Sequence, residues 1–131
     1  MCIRDRCVSR QPTIVPVTPP PVLRLWLPVL AWAAVIFALS SFPGLGTGLG
    51  TWDLLLRKLA HVGEYAVLGA LLLRALGRPW PAAALGVAYA VTDELHQRFV
   101  PGRLGSPRDV AIDAFGVALG IWLWRARRGA R

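Results

Sequence analysis

The residues able to do chemistry are crowded into two stretches of this chain. Between Tyr89 and Gly120 lie four carboxylates (Asp93, Glu94, Asp109 and Asp113), together with His96 and three arginines, Arg98, Arg103 and Arg108. A smaller group, Arg57, Lys58, His61, Glu64 and Tyr65, opens an otherwise apolar run. Carboxylates and imidazoles can move protons, while lysine and arginine can hold an anion or stabilise developing charge. His61-x-x-Glu64 and Asp93-x-x-His96 each set two potential ligands on one helix face, but a pair is only half a metal site, and no metal is assigned. Gly-x-Ser-x-Gly, His-Glu-x-x-His and Gly-rich phosphate-loop motifs are absent, and no cofactor is expected.

The setting of these groups is what makes them informative. The chain has 131 residues, of which 55% are hydrophobic, and a mean hydropathy of +0.50, more apolar than a soluble domain of this length. It reads as a membrane protein. The net charge of +8 comes from arginines that flank apolar runs, and not from a basic face interleaved with aromatics, so nucleic acid is not an expected partner. Ionisable groups that interrupt apolar helices need a partner, a cavity or a function.

Four runs can position them, which predicts an all-α, polytopic fold with four transmembrane helices. Leu23 to Phe42 carries one charge, Arg24, and at about 1.5 Å per residue it is long enough for a hydrocarbon core of about 30 Å. A cleaved signal peptide is the competing reading, opposed by the length of the run and by the lack of a small-x-small site around Ser40-Ser41-Phe42-Pro43. Pro43 to Thr51, with four glycines, is a loop. The remaining spans are expected at about 54–76, 80–98 and 108–124, broken by Gly77-Arg78-Pro79 and by Pro101-Gly102 with Gly105-Ser106-Pro107. Trp122 and Trp124 are interfacial anchors, and 126–131 is a basic C-terminal tail. The first ten residues, including Cys2 and Cys7, resemble a translated sequencing adapter, and the proline-rich segment to Val22 reads as an extended tail.

If the four helices alternate, Arg24, Arg74, Arg78, Arg125, Arg127, Arg128 and Arg131 share one side, which places both termini in the cytoplasm. The polar start of the second helix, the polar end of the third and the polar start of the fourth then meet at the outer leaflet. Arg57, Lys58, Arg98, Arg103 and Arg108 run against the charge bias there, as cations held in a site would.

Three ordered motifs carry a family resemblance: Arg-Lys-Leu-Ala-His-Val-Gly-Glu-Tyr-Ala-Val-Leu-Gly at 57–69, Asp-Glu-Leu-His-Gln-Arg-Phe-Val-Pro-Gly-Arg at 93–103, and Ser-Pro-Arg-Asp-Val-Ala-Ile-Asp-Ala-Phe-Gly-Val-Ala-Leu-Gly at 106–120. From Leu23 to Trp124 the chain resembles the VanZ-like family of small bacterial membrane proteins, whose founding member is associated with low-level teicoplanin resistance. The resemblance implies the bacterial cytoplasmic membrane and a site built from Lys58, His61, Tyr65, Asp93, Glu94, Gln97, Arg103, Asp109 and Asp113. Two departures stand out: Arg57 occupies a position that is often acidic in the family, and Asp113 one that is often Asn. The first removes a local partner for Lys58, whose counter-ion must then come from another helix.

Helical spacing puts Lys58, His61 and Tyr65 on one face, Tyr89, Asp93, His96 and Gln97 on another, and Asp109, Asp113, Gly116 and Gly120 on a third. Gly116-x-x-x-Gly120 and the small row Ala82, Gly86 and Ala90 permit close helix contact, which would draw the carboxylates into the bundle. Arg103 with Asp109, or Lys58 with Asp93 or Asp113, would serve as purely structural ion pairs. As a functional site, the cluster suits an outward-facing pocket for a glycopeptide, a lipid-linked cell-wall precursor or a polyprenyl phosphate. An alternative is a membrane-embedded hydrolase or transferase, with Asp93 or Glu94 as general base and His61 or His96 as acid or base. Ion or proton translocation is opposed by the clustering of acidic groups at one end.

Overall fold

The computed structural model describes residues 21–43, 50–103 and 105–130. Among these the chain is all-helical, without strands: α1 (Pro21–Ser41), α2 (Thr51–Leu76), α3 (Pro79–Gln97) and α4 (Pro107–Gly129). The expected N-terminal tail up to residue 20 and most of the glycine-rich loop lie outside the described residues.

Local chemistry explains the boundaries. Gly77, with φ of 69°, takes the left-handed conformation that ends α2, and its N–H donates to Leu73 O at 2.8 Å. Pro79 and Pro107 stand in the first turns of α3 and α4, where a missing N–H costs nothing. Ser106 caps α4, its side chain accepting from Arg108 N at 3.2 Å. Three boundaries differ from expectation: α1 starts at Pro21, inside the expected tail, α2 starts at Thr51, the last residue of the expected loop, and α4 runs on to Gly129, so most of the basic tail is helical. Arg127 and Arg128 complement the negative end of the helix, and the Arg128 guanidinium lies 5.2 Å from the Trp124 ring centroid.

Helices α1 and α2 are long and apolar enough to cross a membrane. Charged residues occupy the last turns of α3 and both ends of α4. Leu27, Leu30, Leu55, Leu59, Phe115 and Trp122 are all exposed, an apolar surface that suits lipid and not water.

Interhelical bonds show which ends meet. Arg74 Nη2 donates to Arg24 O, joining the end of α2 to the start of α1. Ser40 to Asp93 joins the ends of α1 and α3, and Lys58 to Asp109 joins the starts of α2 and α4. Helices α2 and α4 therefore run parallel and form the most extensive pair, while α1 packs on α2 and α3 without touching α4. Small residues make the α2/α4 contact possible: a Cβ on Gly116 would stand 2.7 Å from Val62 O, and one on Gly120 would run into Ala66 O. From the other side, a Cβ on Gly69 of α2 would meet Val117 O. The core around this contact is Ile36, Tyr65, Leu68, Leu72, Ala82, Ala90 and Val117.

Candidate functional site

The close approach of α2 and α4 determines the polar end of the bundle. With Val62 against Gly116 and Ala66 against Gly120, the next turns toward the polar end bring His61 to Asp113 and Lys58 to Asp109. His61 Nδ1 lies 3.2 Å from Asp113 Oδ1, and Lys58 Nζ lies 3.0 Å from Asp109 Oδ1. The counter-ion of Lys58 thus comes from α4, and it is neither Asp93 nor Asp113. Arg103 likewise does not pair with Asp109. Its Nη1 donates to Gln97 Oε1 at 3.1 Å, and its Nε and Nη2 donate to Phe42 O and Leu39 O, carbonyls at the end of α1.

Behind this layer lies a buried network centred on Asp93. Its Oδ2 accepts from Ser40 Oγ at 2.8 Å, Gln97 Nε2 at 2.9 Å and the Tyr65 hydroxyl at 3.2 Å. All three donors are neutral, so the carboxylate is held by hydrogen bonds and not by a counter-ion. Tyr65, expected in the site, is fully buried and fixes this acid. Glu94 turns away from Asp93 and accepts the Ser106 N–H through Oε1, tying α3 to the cap of α4. Asp93, Glu94 and Asp113 are at most 3% exposed, and each keeps one oxygen without a protein partner among the described residues.

A cavity of about 260 Å³ opens in front of this network. It is lined by Lys58, His61, Gln97, Arg103, Asp109 and Asp113, with Arg57 and Leu54 at its rim. A smaller one of about 180 Å³ lies toward α1, shares Arg57, His61 and Arg103 with the first, and adds Ser40 and Glu64. Of the nine residues expected in the site, six line the main cavity, while Tyr65, Asp93 and Glu94 stand behind it.

The profile of the VanZ/LLP1 family matches residues 22–128, nearly the whole chain. The chain belongs to the VanZ/LLP1 family. No curated protein and no solved structure matches it. Together with the two apolar helices, membership makes this a VanZ-like membrane protein.

Some participants at this VanZ-like polar end were not legible in sequence. Ser40 is 2% exposed and bonded to Asp93, yet in sequence it is only a hydroxyl at the end of an apolar run. The signal that could have found it is the pair of adjacent hydroxyls, Ser40-Ser41, closing an otherwise apolar run. Arg57 pairs with Asp53 one turn earlier, at 3.0 Å. His96 lies apart from the cavity on the α1 side, stacked on Phe37 with ring centroids 4.4 Å apart and with Ser41 Oγ 3.0 Å from its Nε2. Among the described residues no three His, Cys, Asp or Glu side chains gather as a metal-ligand set.

Proposed function

We propose that this VanZ-like protein crosses the bacterial cytoplasmic membrane four times with both termini inside, and that its outward-facing cavity binds a cell-envelope component or a glycopeptide antibiotic. The observation that carries the reading is the mixed lining of the cavity. Lys58, Arg103 and Gln97 offer donors, Asp109 and Asp113 offer acceptors, and the cations already have partners. A wall of that kind suits a ligand rich in amides, hydroxyls and carboxylates, as cell-wall peptides and glycopeptides are, better than a bare anion. At about 260 Å³ the cavity falls below the ~300–1,000 Å³ of drug-sized sites, so it takes one portion of such a ligand.

The test is antibiotic susceptibility. Expression of the intact chain in a teicoplanin-sensitive host should raise tolerance, and Arg103→Ala should abolish the effect, whereas Glu94→Gln, behind the wall, should largely keep it. Unchanged susceptibility to every cell-wall antibiotic with the intact chain would sink the proposal. A reporter fused after Arg131 that proved extracytoplasmic would invert the orientation.

One observation favours a second reading, a hydrolase or transferase. His61 reaches the cavity with Nδ1 oriented by Asp113, the arrangement of a general base, and Arg57, Lys58 and Arg103 stand nearby for charge stabilisation. In that case the base is His61 with Asp113 behind it, since neither Asp93 nor Glu94 lines the cavity. His61→Gln would then abolish the phenotype, while a binding site would tolerate it.

A further inference from the structure

The polar end mixes cations with carboxylates, whereas among the described residues the opposite end is basic alone. The described carboxylates, Asp53, Glu64, Asp93, Glu94, Asp109 and Asp113, all belong to the polar end or to the cavities there. Arg24, Arg74, Arg78, Arg125, Arg127 and Arg128 gather at the other end, where α1 and α3 start and α2 and α4 stop. Between the α2–α3 turn and the last turns of α4 lies a cavity of about 480 Å³, lined by Leu73, Gly77, Pro79, Trp124, Arg125 and Arg128.

We infer that this cavity binds the phosphate of an anionic phospholipid headgroup. Among the described residues neither Arg125 nor Arg128 pairs with a carboxylate, so two guanidinium groups face one cavity without a counter-ion. Arg128 also has a partner that limits its range: its guanidinium carbon lies over the Trp124 ring, 5.2 Å from the centroid, a cation–π contact that leaves its N–H groups able to donate to phosphate oxygens. Pro79 opens α3 at the rim, adding the positive end of that helix. Leu73, Pro79 and Trp124 supply an apolar floor for the glycerol and upper acyl carbons.

The level of the cavity selects a lipid over a soluble anion. It lies where the membrane-length helix α2 ends, and at the same end of the bundle Trp80 is 84% and Trp122 63% exposed, the placement of an interfacial aromatic belt. Arginines that served only to orient the chain would need no cavity between helices, whereas basic pockets at that depth take lipid headgroups. This inference is independent of the polar cavity and of which leaflet the arginine end faces.

The experiment uses the purified full chain in an uncharged detergent, with thermal unfolding followed while short-chain phosphatidylglycerol, phosphatidylcholine or inorganic phosphate is titrated. Phosphatidylglycerol should stabilise the chain, and the two others at equal concentration should not. The double variant Arg125→Gln/Arg128→Gln should need roughly tenfold more phosphatidylglycerol for half the effect, as expected for losing charge-assisted hydrogen bonds to phosphate. Arg24→Gln/Arg127→Gln removes the same charge at that end from two side chains that do not line the cavity and should leave that concentration nearly unchanged. Arg128→Lys, which keeps charge but loses the planar guanidinium, should fall between wild type and the first double variant. Equal weakening by both double variants would reduce the effect to diffuse charge and overturn the site. Stabilisation by phosphatidylcholine or by inorganic phosphate equal to that by phosphatidylglycerol would overturn the anionic-lipid assignment.

Discussion

Replacing Asp93 by Ala is the most direct probe of how the polar end holds together. The change removes the acceptor shared by Ser40, Tyr65 and Gln97. Gln97 keeps a partner, because its Nε2 also lies 3.4 Å from Ser40 Oγ and its Oε1 still accepts from Arg103. The Tyr65 and Ser40 hydroxyls, both buried, are left without that acceptor. At about 1–3 kcal/mol per orphaned buried donor, the gross loss is about 2–6 kcal/mol. Part of this is offset by removing a buried carboxylate whose Oδ1 has no protein partner, so a net loss of about 2 kcal/mol is expected. A double-mutant cycle isolates the hydrogen bond: Tyr65→Phe should cost about 1 kcal/mol alone, and in the Asp93→Ala background, where the buried hydroxyl has lost its acceptor, it should instead recover about 1 kcal/mol or more. The readout is helical circular dichroism during reversible unfolding in mixed micelles. Interhelical hydrogen bonds in membranes average about 0.6 kcal/mol in such cycles, so a coupling of 1 kcal/mol or more marks a bond stronger than the average. If Asp93→Ala were neutral or stabilising, and the two changes additive within about 0.5 kcal/mol, the network would not hold the helices together.

Further expectations concern packing, capping and the exposed ion pair. Gly120→Ala drives a methyl group into the Ala66 carbonyl and should cost about 1–3 kcal/mol, whereas Gly63→Ala, with open space around it, should gain up to about 1 kcal/mol. Opposite shifts in apparent Tm for the two variants are the check, and equal shifts would contradict the close α2/α4 contact. Ser106→Ala removes the α4 cap and should lower stability by about 1 kcal/mol, with faster amide exchange in the first turn of that helix. Lys58 and Asp109 are each more than a third exposed, so Lys58→Ala should change unfolding stability by less than about 1 kcal/mol. The same variant should lose the antibiotic phenotype, and full retention would remove Lys58 from the proposed site.

Much of the fold follows from short-range features. Apolar runs interrupted by Gly77-Arg78-Pro79 and by the Pro101 to Pro107 loop lead to four helices, and the turns close where the glycine and proline chemistry puts them. The motifs at 57–69, 93–103 and 106–120 likewise point to the family from sequence alone. Partner choice was another matter. Asp109 and Asp113 lie one turn apart on the same helix face, and Asp93 was an equally good candidate for Lys58. Backbone contact at Gly116 and Gly120 sets the α2/α4 register, and that register assigns Asp109 to Lys58 and Asp113 to His61. Ser40 was missed because a serine in a membrane helix has many uses, and only the crossing of α1 over α3 aims it at Asp93.

The sequence by itself therefore determined which segments are helical, which ends are charged, and that a row of small residues would let two helices meet. These depend on neighbours within a few turns. The tertiary structure alone decided that Asp93 and Glu94 stand behind the cavity wall while His61, Arg103 and Asp113 form it. That outcome depends on the rotation and relative height of four helices, and a rotation of one residue, about 100°, exchanges a lining residue for a buried one.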